Sequence, residues 1–206
     1  MDIASFTTSL AQAFEQTSWV ERLSVLFGVS QVLLSKNNKI ANYPVGIVGI
    51  VLGMAALYGA KLYAEILLNV YYLVMSLYGW WYWTANRTQA EQPITRANRR
   101  DWSIVGVIVL GGFFILYLAL RSFTDSDVPL WDAWVSCTAW AGMWLLARRK
   151  LENWLLLNLS NLFAIPLLVH KELYLFALLT TFLFVIAFVG FAKWRRIMKT
   201  QTPKYA

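Results

Sequence analysis

The chain is poor in the groups that most enzymes and metal proteins use. It has one cysteine, Cys137, and one histidine, His170, among 206 residues. One cysteine excludes an intramolecular disulfide and a cysteine-cluster metal site. No His-Glu-x-x-His, Gly-x-Ser-x-Gly or clustered carboxylates occur, so the expectation is no enzyme, no metal and no cofactor. His170 falls at a loop edge and reads as an interfacial polar residue. Charge is scarce as well: 14% of residues are charged and 59% are hydrophobic, against about 25% and about 45–50% in a soluble domain.

What is present is apolar length. A spanning helix needs about 20 mostly apolar residues, and seven runs qualify: 19–35, 41–59, 62–84, 102–120, 130–147, 151–169 and 172–194. They leave no room for a soluble domain, so the expected class is an all-α integral membrane protein with seven transmembrane helices. The net charge of +7 follows topology. Fourteen Lys and Arg fall on one face of the alternating loops, in clusters such as Arg148–Arg149–Lys150, and four (Arg22, Lys61, Arg121, Lys171) on the other. The excess of positive charge on cytoplasmic loops places the N-terminus outside and the C-terminus inside. Nucleic acid is not an expected partner; the lipid bilayer is.

The opening residues 1–18 show no signal-peptide pattern, and Ile3, Phe6, Leu10 and Phe14 recur at helical spacing. A short helix on the membrane surface is expected there.

Offsetting the sequence by 111 residues aligns the first three runs with the last three without a gap. Lys39, Asn42 and Tyr43 fall on Lys150, Asn153 and Trp154; Gly79 falls on Gly190, and Trp83 on Trp194. The expected organisation is a first three-helix repeat at 19–84, a linker at 85–129 carrying the fourth helix, a second repeat at 130–196 and a tail at 197–206. Three is odd, so the extra helix gives both repeats the same orientation. This 3+1+3 parallel-repeat plan is that of SWEET-like transporters, with a substrate site between the repeats near the midplane.

Polar residues inside the runs form stripes at helical spacing. Glu65, Asn69, Tyr72, Ser76, Gly79 and Trp83 make one; Lys150, Trp154, Asn158 and Asn161 make another. The fifth run adds Asp132, Ser136, Trp140 and Trp144, and the seventh adds Thr180, the repeat equivalent of Asn69. Pro166 is expected to bend or break the sixth helix. In hydrocarbon such groups face the bundle interior, where the bland alternative is interhelical bonding worth about 0.6 kcal/mol each. The candidate substrate-binding set is Asn69, Tyr72, Ser76, Trp140, Trp144, Trp154, Asn158, Asn161 and Thr180. Amides and hydroxyls grade a ligand by hydrogen bonds, and ring faces attract flat cations. No ionisable group sits mid-span to relay protons, which favours facilitated diffusion.

The motifs "NYPVGIVGIVLG", "KLYAEILLNVYYLVMSLYGWWYW", "WDAW", "RRKLENW" and "KELY" resemble those of the PnuC-type vitamin transporters, from residue 19 to residue 196. The resemblance implies a full-length SWEET-like bundle in a bacterial inner membrane, usually a homotrimer. It also implies facilitated uptake of nicotinamide riboside, made one-way by a cytoplasmic kinase that phosphorylates the vitamin. Two positions depart from the riboside carriers. The pattern W-x2-W-x2-N reads "WLLLNLS", with Leu157 and Ser160 at the second Trp and the Asn, and Asn69 replaces a Gln. Thiamine therefore stays open as the substrate of the same fold. A sugar carrier sharing the architecture and a membrane enzyme are the more distant alternatives.

Overall fold

The computed structural model describes residues 18–59, 63–85, 93–124, 126–171 and 174–201. The expected N-terminal surface helix lies outside them. Among the described residues are seven helices: α1 Trp19–Lys36, α2 Asn42–Gly59, α3 Tyr63–Thr84, α4 Arg99–Phe123, α5 Pro129–Ala147, α6 Asn153–His170 and α7 Tyr174–Gln201. Their starts follow local chemistry. Ser18 and Glu21 form a capping box at α1, and Asn98 and Asp101 another at α4, each satisfying two backbone donors that helix geometry orphans. Pro129 opens α5, where its missing N–H costs nothing.

Two sequence expectations change in detail. The sixth helix does not break at Pro166 but runs on to His170; the carbonyl of Phe163, in the turn before the proline, accepts from Trp131 Nε1 at 2.9 Å. The seventh helix continues past residue 194 to Gln201, its last turns carrying Lys193, Arg195, Arg196 and Lys199. Within α4, Val107–Gly111 is a π-helical turn.

Six helices close a ring: α1 touches α2, α2 touches α3, α3 touches α5, α5 touches α6, α6 touches α7 and α7 returns to α1. The fourth helix stands outside, against α5. Its Val107, Leu110, Phe114 and Ile115 are exposed, while Asn42, Ser76, Asn153 and Asn158 are buried inside the ring. A polar interior under an apolar exterior suits a solvent that cannot hydrogen-bond. Helices α4 and α6 and residues Phe176–Gln201 of α7 are long and apolar enough to cross a bilayer. Asn42–Tyr58 of α2 is equally apolar but shorter.

Contacts recur between residues 111 apart. Asn38 and Arg149 are such a pair, and they have φ of 55° and 54°. Both loops close the same way: Asn42 Nδ2 donates to the Lys39 carbonyl at 2.8 Å, and Asn153 Nδ2 to that of Lys150 at 2.6 Å. A Cβ on Gly79 would fall 2.6 Å from the Tyr43 hydroxyl, and one on Gly190 2.8 Å from Trp154 Cε2. Each ring thus rests on bare backbone, which only glycine permits. One turn further on, Trp83 Nε1 donates to the Ala147 carbonyl (3.2 Å) and Trp194 Nε1 to that of Ser35 (2.9 Å). The terminal indole of each three-helix unit thereby reaches the first helix of the other.

The chain between α3 and α4 is strapped to the second unit. Thr95 pairs in parallel with Lys150, Ala97 N donates to Glu152 Oε2 (2.8 Å), and Ile94 N donates to Gln201 Oε1 (3.1 Å). Lys150 also forms an ion pair with buried Asp101 at 3.1 Å.

Overpacking a filled site costs about 1–3 kcal/mol. Gly79→Val and Gly190→Val should each lower the melting temperature in detergent by several degrees. Gly28→Ala, at a helical position with nothing within 4 Å, should leave it unchanged or raised. Equal melting of all three variants would refute the ring-on-glycine contact.

Candidate substrate cavity

A cavity of about 220 Å³ lies inside the ring, bounded by all six of its helices. That is room for roughly seven waters at about 30 Å³ each, the scale of a small metabolite. The first helix contributes Gln31, Val32 and Ser35, α2 contributes Ile50, and α3 contributes Tyr72. From the second unit come Met143 and Leu146 of α5, Trp154, Leu157 and Asn161 of α6, and Leu183 and Ala187 of α7.

The lining positions repeat at the offset of 111, but their chemistry does not. Val32 matches Met143, Ser35 matches Leu146, Ile50 matches Asn161 and Tyr72 matches Leu183. Three of these four pairs set a polar group against an apolar one. A further exchange involves glycine. Gln31 lies over Gly46, where a Cβ would sit within 2.7 Å of all three terminal amide atoms. At the equivalent positions the large and small residues trade places, and Leu157 lies over Gly142.

Many polar groups here lack protein partners. Ser35 Oγ, Ser76 Oγ, Trp154 Nε1 and Asn158 Oδ1 are buried without a hydrogen bond among the described residues. The Gln31 and Asn161 amides at the cavity wall likewise have no hydrogen bond among the described residues. A buried polar group left unpaired costs about 1–3 kcal/mol, and interior helix-bonding residues would be paired with one another. Of these residues Gln31, Ser35, Trp154 and Asn161 line the cavity, where their polar groups can meet whatever fills it.

The residues expected from sequence divide into four groups. Tyr72, Trp154 and Asn161 line the cavity. Asn158 and Ser76 are buried beside it: Asn158 shares the α6 face of Trp154 and Asn161, and Ser76 is equivalent to the lining residue Ala187. Asn69 and Thr180, themselves an equivalent pair, are half-buried about one turn from Tyr72 and Leu183 and are not lining residues.

Trp140 and Trp144 are not among the lining residues of this cavity, and their rings pack against neighbouring helices. Trp140 lies against Tyr71, with centroids 4.9 Å apart, and the Tyr71 hydroxyl donates to the Trp140 carbonyl at 3.0 Å. Trp144 packs with Val105, Ala141 and Leu145 where α4 meets α5. The fifth helix is amphipathic in the wrong sense for a spacing argument: its tryptophans face neighbouring helices, while its small residues Ala141 and Gly142 are buried.

Gln31 is the main residue the polar stripes miss. Nothing on α1 marks it by spacing, but the reciprocal Gln31/Gly142 and Gly46/Leu157 exchange is visible in the offset sequence. Gln31→Leu and Asn158→Leu should each weaken ligand binding about tenfold or more, or about 1.4 kcal/mol. Trp144→Leu should alter affinity less than threefold. Calorimetric titration of the purified variants checks both; a reversed order would move the site toward α4.

The sequence model described as nicotinamide mononucleotide transporter matches residues 18–196. The chain is 24% identical to the nicotinamide riboside transporter PnuC of Escherichia coli (strain K12), over 86% of this chain and 85% of that protein. It is 25% identical to the PnuC of Neisseria mucosa, over 75% of this chain and 61% of that one. The crystal structure of the vitamin B3 transporter PnuC has the same fold, with a TM-score of 0.72 over 95% of this chain and 88% of that one, at 20% identity. With its cavity inside a ring of apolar-faced helices, the chain belongs to the nicotinamide mononucleotide transporter family and is a multi-pass membrane transporter.

Proposed function

We propose that the protein carries nicotinamide riboside across a bacterial inner membrane by facilitated diffusion. The observation that carries this reading is a cavity bounded by six helices whose mostly apolar wall bears the amides of Gln31 and Asn161, the Ser35 hydroxyl and the Trp154 indole N–H. Primary amides such as Gln31 and Asn161 each offer two donors and an acceptor, which suits both a carboxamide and ribose hydroxyls. The Tyr72 ring at the cavity wall can attract a flat pyridinium cation, Trp154 offers its indole N–H, and among the described residues no carboxylate lines the cavity to hold a proton instead.

In this reading the two three-helix units are parallel repeats about an axis along the membrane normal, with α4 as the linker of a 3+1+3 SWEET-like plan. The equivalent loops, ring-on-glycine contacts and crossed indole bonds support it. The basic end of the bundle is then cytoplasmic and the N-terminus outside. Uptake becomes one-way when a cytoplasmic kinase phosphorylates the riboside, and the family habit of forming homotrimers is adopted for this chain.

Thiamine is the second reading, and Leu157 favours it. That residue lines the cavity where the riboside carriers' pattern has its second tryptophan, so one stacking surface is missing.

The test is calorimetric titration with each vitamin, followed by counterflow in proteoliposomes. Micromolar or tighter binding of the riboside, with uptake unaffected by a protonophore, is expected. Thiamine binding without riboside binding would transfer the substrate assignment. Uptake abolished by a protonophore would overturn facilitated diffusion.

A further inference from the structure

Side-chain hydrogen bonds that join the two three-helix units include these six. One, from Tyr71 to the Trp140 carbonyl, is near mid-bundle. The other five cluster at the basic end: Trp83 to Ala147, Trp194 to Ser35, Arg148 to Tyr78, Lys193 to Asn37 and Arg149 to Asn38. At the opposite end Ser126 and Lys171 bond to Asp132 and His170 to Asp127, within the second unit and its preceding loop.

The Arg149–Asn38 bond is unlike the others because its partners occupy equivalent positions, 111 residues apart. A bond between equivalent positions lies on the axis that relates the two units, where any separation of them is felt most directly. Arg149 Nη2 donates to Asn38 Oδ1 at 2.7 Å, and its guanidinium lies 4.2 Å from the centre of the Trp83 ring. Arg149 is only 2% exposed. Both residues hold left-handed backbone conformations, which non-glycine residues occupy only when their surroundings impose it. For a long side chain such as Arg149 this is the more telling case. Rings connect the pair to the cavity floor: Trp83 lies 6.1 Å from Trp194, which bonds to Ser35 and meets Trp154 edge-on at 5.8 Å.

We propose that Arg149 and Asn38 form an axial latch that closes the cavity at its basic end, and that the latch must part for the cavity to open there. It rests on the transport reading only for its physiological meaning; the closure itself is a property of the empty protein. Equivalent positions with unlike residues make one breakable bond on the axis, which two identical side chains of like charge would not.

Glycine at either position suits the left-handed backbone, so Asn38→Gly removes the acceptor and Arg149→Gly the cation without straining the loop. The reporter is Ser35→Cys, in the cavity floor, on a Cys137→Ser background. A membrane-impermeant thiol reagent is added to vesicles from the side on which a C-terminal tag is accessible. With the latch intact the cysteine should label slowly; with Asn38→Gly or Arg149→Gly it should label at least tenfold faster. Arg196→Gly, on an exposed turn of α7, should leave the rate unchanged. Melting temperatures measured alongside identify any variant that opens by unfolding, and the remaining glycine variant then decides. Equal labelling of parent and latch variants would overturn the proposal. Because labelling needs no vitamin, failure to carry nicotinamide riboside would refute the transport reading and leave this result standing.

Discussion

The close approach of helices at Gly79 and Gly190 governs much else in the molecule. With no Cβ there, the Tyr43 and Trp154 rings lie on the backbone of the following helix. That fixes the rotation of α3 and α7, and rotation decides where residues one turn later point. Trp83 and Trp194 therefore reach across to the first helix of the other unit. Their rings pack together with Tyr43, Trp154 and Leu146 in one buried cluster beneath the cavity. In a bilayer, where burial of apolar surface gives no force between helices, such fitted contacts and a few hydrogen bonds must hold the bundle together.

The same arrangement explains how a nearly symmetric frame can hold an asymmetric solute. Equivalent positions surround the cavity, so its outline is shared between the units, yet Tyr72 faces Leu183 and Asn161 faces Ile50 across the repeat. A cavity with identical linings would accept a ligand in two opposed poses. Dividing polar and apolar partners between the units favours one pose.

Much of this was legible in the sequence where side chains recur at a fixed offset. The loop motif Lys-x2-Asn-aromatic, the Gly-x3-Trp pairs and the seven apolar runs all correspond to observed features, because loop closure and close packing demand particular residue types. The polar stripe of α6 was legible for the same reason, Trp154 and Asn161 being one face of a regular helix. The surroundings of Trp140 and Trp144 were not legible, because residue type does not say which neighbour a helix presents its rings to; the packing of α3 and α4 on α5 sets that. Gln31 was missed because its role depends on a glycine in another helix.

The strap formed by Ile94, Thr95 and Ala97 has a mechanical consequence. All three residues are bound to the second unit, at Gln201, at the loop before α6 and at Glu152, while α4 packs on α5 and its Asp101 pairs with Lys150. Strap, fourth helix and second unit therefore travel as one body. Any separation of the two units would set four tied helices against three.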